Sequence, residues 1–138
     1  MDSFCPDASS VVPLLLPVPS SRHVRPFWAQ FPDAKLVAPP LLFAEVTSVI
    51  RRYVHASTVL PEEAAAAVED LFKLTVRIVH DRSIYLNALN MAQRLGQSKA
   101  YDVQYLAVAE MEDCPIVTVD RALHESAAAL GIQSRLLK

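Results

Sequence analysis

The sequence predicts an α/β fold with a central parallel sheet, and two features of the chain support this prediction. Short apolar segments, which are typical of strands, alternate with longer segments of helical periodicity. The strands are separated by helices rather than by tight hairpin turns, which favours a parallel sheet covered by helices on both faces. In such sheets ligands bind at the carboxyl ends of the strands. We therefore expect the functional residues at that edge.

The composition favours one domain over residues 1–138 with a core of its own. Hydrophobic residues make up 52% of the chain, which excludes a disordered protein. No apolar run approaches the roughly 18 residues of a membrane span, and the first residues lack the pattern of a signal peptide. We therefore expect a cytoplasmic protein with no membrane association. The net charge of −2 argues against nucleic-acid binding by bulk positive charge.

The first half of the chain is predicted to form two strands and four helices. In chain order these are a strand over residues 1–7, helices over residues 7–16 and 20–30, a strand over residues 35–38, and helices over residues 41–55 and 61–74. The first strand is weak because Pro6 cannot donate a hydrogen bond to a neighbouring strand. Pro13 is expected in the first turn of its helix, where a missing N–H costs least.

The second half is predicted to form three strands and three helices, with glycines at two of the helix ends. These are a strand over residues 76–80, a helix from an Asp81 or Ser83 cap to Gly96, a helix from a Ser98 cap to Met111, a strand over residues 115–119, a helix over residues 121–130 closed by Gly131, and a strand over residues 133–137.

The sequence excludes several common kinds of active site. Two glycines are too few for a P-loop or a dinucleotide-binding fingerprint, and no nucleophile elbow or metalloprotease motif is present. Cys5 and Cys114 do not have the spacing of a zinc motif. A strand offset of four residues, about 13 Å, would separate them too far for a disulfide, so we expect two reduced, buried thiols. Carboxylates are the polar groups that remain in apolar surroundings.

Four of the acids differ from the solvated majority in their position. Asp7 and Asp120 follow predicted strands, Glu45 lies beside the apolar stripe of its helix, and Asp102 lies in the first turn of another. Each also has an ordinary alternative. The two strand-end acids suit helix N-caps, Asp102 suits a helix dipole, and Glu45 could pair with an arginine.

Together these four acids predict a metal site. Two of them point to one edge of the sheet, and the two helical acids have apolar neighbours. Four carboxylates within a few ångströms would repel one another, and a hard cation relieves that repulsion. Ligation by oxygen alone favours Mg²⁺ or Mn²⁺ over zinc, and such sites serve phosphate chemistry.

The chain resembles the PIN-domain ribonucleases, and within them the VapC-type toxins of bacterial type II toxin–antitoxin systems. The similar segments are residues 7–9, 42–46, 101–107 and 117–123, and their order and spacing agree over essentially the whole chain. The family has an apolar strand directly before its first aspartate, whereas Cys5 and Pro6 precede Asp7 here. The acidic positions themselves are intact.

The resemblance implies a three-layer α/β/α sandwich and an Mg²⁺- or Mn²⁺-dependent endoribonuclease. It implies that the metal is coordinated by Asp7, Glu45, Asp102 and Asp120, with Ser9 and Thr118 as supporting hydroxyls. It also implies a homodimer, an RNA substrate and a cognate antitoxin protein that blocks the site. The basic residues that could contact RNA are Lys99, Arg51, Arg52 and Arg121.

Other functions remain open at this stage. An aspartyl-phosphate receiver or phosphatase also uses acids with Mg²⁺ on a parallel sheet, but it needs a lysine at the site, for which Lys99 is the candidate. A PIN-like nuclease outside a toxin–antitoxin system and a non-catalytic module that binds RNA or protein are the further alternatives.

Overall fold

Residues 2–138, which the computed structural model describes, form five strands and seven helices. The elements in chain order are β1 (Ser3–Pro6), α1 (Ala8–Leu15), α2 (Ser21–Ala29), β2 (Lys35–Ala38), α3 (Leu41–His55), α4 (Pro61–Leu71), β3 (Val76–Ile78), α5 (Arg82–Arg94), α6 (Val103–Glu112), β4 (Ile116–Thr118), α7 (Arg121–Ala129) and β5 (Ser134–Leu136). No helix within this range is long and apolar enough to cross a membrane.

The five strands form one parallel sheet in the order β3-β2-β1-β4-β5. The chain moves from β1 outward to β2 and β3, then returns across the sheet to β4 on the other side of β1. The strand order therefore reverses between β1 and β4. In open parallel sheets a crevice forms at this reversal, outside the carboxyl ends of the two strands, and ligands bind there.

Helices pack on both faces of the sheet, which gives the three-layer α/β/α architecture. Alternate residues of each strand point to opposite faces. On one face Phe4 and Val117 pack with Phe27 and Trp28 of α2. On the other face, the adjacent strand residues Cys5 and Ile116 belong to the larger core, which includes these buried residues of α6 and α7: Leu106, Val108, Leu123 and Ala127.

The structure confirms the predicted elements and moves several of their boundaries. The helix predicted to begin at a Ser98 cap begins at Val103 instead, and α4 ends at Leu71 rather than at about residue 74. Pro13 lies in the interior of α1 and not in its first turn. Each difference concerns where a helix begins, ends or is interrupted, which depends on tertiary contacts as well as on local propensity.

Side chains of α2 supply hydrogen-bond donors to the carboxyl end of α1, where Pro17 follows the helix. Pro17 has no N–H and cannot complete the backbone pattern at the carbonyl of Pro13. That carbonyl instead accepts hydrogen bonds from the Ser21 hydroxyl and the Arg25 Nε, each at 2.9 Å. Side chains of α2 therefore replace the missing helical partners and hold α2 against α1.

The two cysteines are free and buried, as predicted. The predicted strand offset of four residues between them is wrong, because Cys5 pairs with Ile116 and is only two residues out of register with Cys114. That offset is about 7 Å along the strand. Burial raises the pKa of the Cys5 thiol well above its usual range, which keeps it protonated.

Replacing Leu106 by Ala should destabilise the protein by about 2–5 kcal/mol, because this fully buried side chain joins α6 to the sheet. The matched control is Leu60→Ala directly before α4, where the leucine is 61% exposed and the change should be within about 0.5 kcal/mol. Denaturant unfolding measures both. Equal losses in the two variants would contradict the assignment of α6 to the core.

Candidate active site

The four predicted acids line one cavity at the carboxyl edge of the sheet. The cavity has a volume of about 350 Å³, and its lining includes Asp7, Glu45, Asp102 and Asp120. Asp7 directly follows β1, and Asp120 lies two residues beyond the end of β4. Glu45 is in the second turn of α3, and Asp102 directly precedes α6. Four separate segments of the chain thus deliver a carboxylate to the reversal point between β1 and β4.

Asp7 is buried, and two hydroxyl groups hold its carboxylate. It occupies the N-cap position of α1, yet its side chain makes no capping hydrogen bond. Instead, the Ser9 hydroxyl donates to Oδ1 at 2.7 Å and the Thr118 hydroxyl donates to Oδ2 at 2.8 Å. The ordinary alternative for this acid, a helix cap, is therefore wrong.

The register of β1 and β4 explains why Thr118 reaches Asp7. Pro6 pairs with Val117, so Asp7 and Thr118 are the next residues along neighbouring strands. The Thr118 hydroxyl accepts from the Asp120 backbone N–H at 2.9 Å, and the Ser9 hydroxyl accepts from the Val119 N–H at 2.8 Å. Because these backbone donors occupy an oxygen lone pair on each hydroxyl, each hydroxyl hydrogen is directed to the carboxylate.

Burial raises the pKa of Asp7 from 3.8 to about 7. The hydrogen bonds from Ser9 and Thr118 oppose this shift because they stabilise the charged form, and the negative charge of Asp120 adds to it. Asp7 is therefore a carboxylate whose charge is poorly compensated in the protein alone. Such a group favours a bound cation.

Glu45 is half-buried, and its position depends on Tyr105, a residue that the sequence analysis did not assign to the site. The Tyr105 hydroxyl donates to Glu45 Oε1 at 2.5 Å. Tyr105 is 1% exposed, so the tyrosine fixes the carboxylate from within the core. Burial raises the pKa of Glu45, and the charge of Asp102 raises it further, while the Tyr105 hydrogen bond and Arg52 lower it. Tyr105 is three residues after Asp102, and side chains at this spacing are neighbours on a helix. This spacing could have indicated from the sequence that Tyr105 lies near the acids.

Asp102 and Asp120 are exposed side chains at the mouth of the cavity. Asp120 caps α7 by accepting from the Ala122 N–H at 2.9 Å, so the ordinary alternative is correct for this residue and coexists with its place in the cavity. Asp102 occupies the N-cap position of α6 without a side-chain capping bond. Desolvation by the surrounding cavity raises the pKa of Asp102, and the charge of Asp120 raises it further.

The carboxylates line the cavity without forming a compact cage. Within residues 2–138, no group of three or more His, Cys, Asp or Glu side chains is close enough to hold one ion together. The four carboxylates therefore do not lie within a few ångströms of one another, contrary to the prediction from the sequence. Asp7, Glu45 and Asp120 instead each accept a hydrogen bond from a donor of the protein. A cavity of about 350 Å³ nevertheless has room for an ion with its water shell. Six waters occupy about 200 Å³, and Mg²⁺ keeps several of its waters in protein sites. The oxygen donors thus fit a hydrated divalent ion.

The four basic residues predicted to contact RNA lie in different surroundings. Arg52 lines the carboxylate cavity, and Lys99 lines an adjoining cavity. Arg51 lies on the apolar groove between α3 and α4, and Arg121 is exposed at the start of α7. Arg52 and Lys99 are therefore the two best placed beside the acids.

The chain matches the family model described as PIN domain over residues 4–129. A comparison with curated protein sequences found no significant match. Solved structures with the same fold include VapC20 of Mycobacterium tuberculosis, a toxin that cleaves the sarcin–ricin loop, with 16% identity, coverage of 94% of this chain and 95% of that chain, and a TM-score of 0.72.

Two further structures illustrate the range of relatives. PAE2754 from Pyrobaculum aerophilum is 19% identical, with coverage of 91% of this chain and 86% of that chain and a TM-score of 0.66. VapBC2 from Rickettsia felis was solved in complex with a DNA fragment from the promoter of VapBC2. It is 11% identical, with coverage of 99% of this chain and 99% of that chain, and a TM-score of 0.67. At these identities the structures show the shared fold.

The raised pKa of Asp7 predicts that stability falls as pH rises in metal-free buffer. The folded chain keeps a proton on Asp7 that the unfolded chain releases, in a window between about pH 4 and about pH 7. The loss across this window should be up to about 4 kcal/mol. Asp7→Asn should flatten the profile and raise the melting temperature at pH 8, as measured by thermal unfolding with a chelator present.

The matched control for this prediction is Asp33→Asn, since Asp33 is exposed and remote from the cavity. This variant should keep the slope of the wild type. A wild-type profile that is flat between pH 4 and 7, or an Asp7→Asn variant that melts lower than the wild type at pH 8, would contradict the account of a poorly compensated carboxylate.

Proposed function

The chain belongs to the PIN domain family, and we propose that it is a metal-dependent endoribonuclease that hydrolyses RNA phosphodiester bonds as the toxin of a toxin–antitoxin pair. One observation carries this proposal. Four carboxylates from four segments line a single cavity at the point where the strand order reverses, and the most buried of them has a pKa of about 7. Family membership also sets aside the aspartyl-phosphate receiver as an alternative.

The carboxylates would hold Mg²⁺ or Mn²⁺ through their oxygens, directly or through water. Asp7, Asp102 and Asp120 are the proposed metal-binding residues, since they line the cavity from the strand ends and the start of α6. When bound, the ion would polarise the phosphate and lower the pKa of a water. The Ser9 and Thr118 hydroxyls keep both oxygens of Asp7 in a fixed orientation, so little reorganisation is needed on binding.

Glu45 is the proposed group that orients and deprotonates the attacking water. A general base works best when its pKa approaches the working pH, and burial shifts the pKa of Glu45 in that direction. Tyr105 acts as a positioning residue, because its hydroxyl binds one oxygen of Glu45 and leaves the other free to accept from water. Attack by water rather than by the ribose 2′-hydroxyl leaves a 5′-phosphate on the product.

The proposed partners of this nuclease follow from the resemblance to VapC-type toxins. A cognate antitoxin protein would neutralise it, and a second copy of the chain would complete a homodimer. An exposed apolar patch on α5, formed by Tyr85, Leu86 and Leu89, supports association with another protein surface. Sedimentation of the purified chain measures the homodimer directly, and a monomer at micromolar concentration would contradict it.

Neutralising the cavity should abolish cleavage of RNA. Asp7→Asn and Asp102→Asn should each reduce the rate by at least about 100-fold, as expected for loss of a charge that orients the reaction centre, and a chelator should abolish wild-type cleavage. Gel analysis of a labelled RNA measures the rate, and chemical analysis of the product ends tests for the 5′-phosphate. The matched control is Asp33→Asn, which should cleave as the wild type does.

Expression of the chain in a bacterial host tests the toxin assignment separately. The wild type should arrest growth, and Asp7→Asn should not. Equal residual cleavage in the wild type and both cavity variants, with no effect of the chelator, would overturn the nuclease proposal. Metal-dependent cleavage without growth arrest would retain the nuclease and favour an RNA-processing role outside a toxin–antitoxin pair.

A further inference from the structure

A second and larger cavity adjoins the carboxylates. Its volume is about 650 Å³, and it shares Glu45 and Asp102 with the first cavity. The rest of its lining combines apolar, polar and aromatic side chains: Leu41, Ala44, Ser48, Gln97, Ser98, Lys99 and Tyr101. Neither the mechanism above nor the choice of metal ligands uses this space. Because the two cavities meet at two of the acids, a ligand in the larger one lies directly beside the proposed reaction centre.

Tyr101 is the most unusual residue of this second cavity. It is 59% exposed, although an aromatic ring favours burial. It directly precedes Asp102, so their Cα atoms are about 3.8 Å apart. Its backbone is held in place, because the Tyr101 carbonyl accepts from the Gln104 N–H at 3.0 Å at the start of α6. The cavity therefore contains an accessible ring on a fixed segment next to a proposed metal-binding acid.

The neighbouring side chains complete a surface suited to one nucleotide. Lys99 supplies a positive charge for a phosphate, and it is two residues before Tyr101. Gln97 is anchored to α7 by a hydrogen bond of 3.3 Å from its amide nitrogen to the Ser126 hydroxyl, which leaves its amide oxygen available to a base edge. Aromatic stacking combined with a basic contact is how proteins bind single-stranded nucleic acids, whose bases are free to leave the stack.

We propose that the cavity lined by Tyr101 and Lys99 binds an unpaired base of the RNA, stacked on the Tyr101 ring, with the adjoining phosphate at Lys99. This inference rests on the proposed nuclease function and assigns to Tyr101 and Lys99 the contacts with the nucleotide beside the reaction centre. The stacked base belongs to the nucleotide at the cut phosphate or to its neighbour, because Tyr101 and Asp102 are consecutive. Within an intact duplex both faces of each base are covered, so paired RNA cannot use the ring.

Fluorescence binding of short RNA tests this proposal in the Asp7→Asn background, which prevents cleavage. The probes are an unstructured oligonucleotide and a blunt duplex of the same length. Tyr101→Ala and Tyr101→Leu should each weaken binding of the single strand roughly tenfold, since an aliphatic side chain cannot stack. Tyr101→Phe should bind as the parent does. Tyr101→Trp should also bind, and its fluorescence should be quenched by the single strand and not by the duplex.

Two controls separate the ring from its surroundings. Phe72→Ala removes another exposed aromatic ring, directly after α4, and should leave the affinity unchanged. Trp28 is 9% exposed, so its fluorescence in the parent protein gives the background for Tyr101→Trp. Lys99→Gln should weaken binding of the single strand and reduce the dependence of affinity on salt concentration, because it removes a phosphate contact.

The results distinguish this inference from the proposed function. Metal-dependent cleavage by the wild type, together with unchanged binding and cleavage in Tyr101→Ala, would overturn the base site and leave the nuclease intact. Equal affinity for duplex and single strand would also overturn it. Absence of cleavage by the wild type, together with single-strand binding that depends on Tyr101, would overturn the nuclease and support the base site.

Discussion

The structure of the site depends on the two hydrogen bonds that hold the Asp7 carboxylate. Thr118 can donate to it only because β1 and β4 are adjacent, parallel and in a register that places Asp7 beside Thr118. Ser9 donates from two residues along the chain, and its hydroxyl in turn accepts from the Val119 N–H beyond β4. The same adjacency produces the reversal of strand order that opens the cavity. The sheet topology therefore both creates the crevice and fixes the buried acid inside it. The remaining acids line the same cavity, and the negative charge of Asp120 further raises the pKa of Asp7.

Most of the fold could be predicted because local signals and tertiary structure agree in this chain. Helix α3 has the predicted bounds, since prolines precede it and its apolar positions recur at helical spacing. Boundaries shifted where tertiary contacts decide them. Pro13 lies inside α1, and its carbonyl, which Pro17 leaves without a helical donor, accepts from side chains of α2; no pattern within α1 itself indicates that contact. Helix α6 begins at Val103 and not after a cap at Ser98. Asp102 therefore lies directly before the first residue of the helix rather than within its first turn.

The acids of the site could be chosen from the sequence, but their individual surroundings could not. Asp7 and Asp120 both follow strands and therefore lie at the same edge of the sheet. Asp7 is buried and its side chain caps no helix, whereas Asp120 is exposed and caps α7. The difference comes from strand register and from the one residue, Val119, that separates Asp120 from the end of β4. The role of Tyr105 beside Glu45 could not be predicted, because its bond to Glu45 links positions 60 residues apart. The second cavity likewise joins α3 to the segment before α6 and has no signal in either segment alone.

Calorimetric titration of the wild type with Mn²⁺ at pH 7 tests the central claim most directly. If Asp7 with a pKa of about 7 binds the ion, binding should release about half a proton per chain, and the observed heat should vary with the ionisation enthalpy of the buffer. The proton release should be absent in Asp7→Asn, and it should fall toward zero in the wild type near pH 9. Absence of Mn²⁺ binding, or a proton release that is the same in Asp7→Asn, would contradict the account.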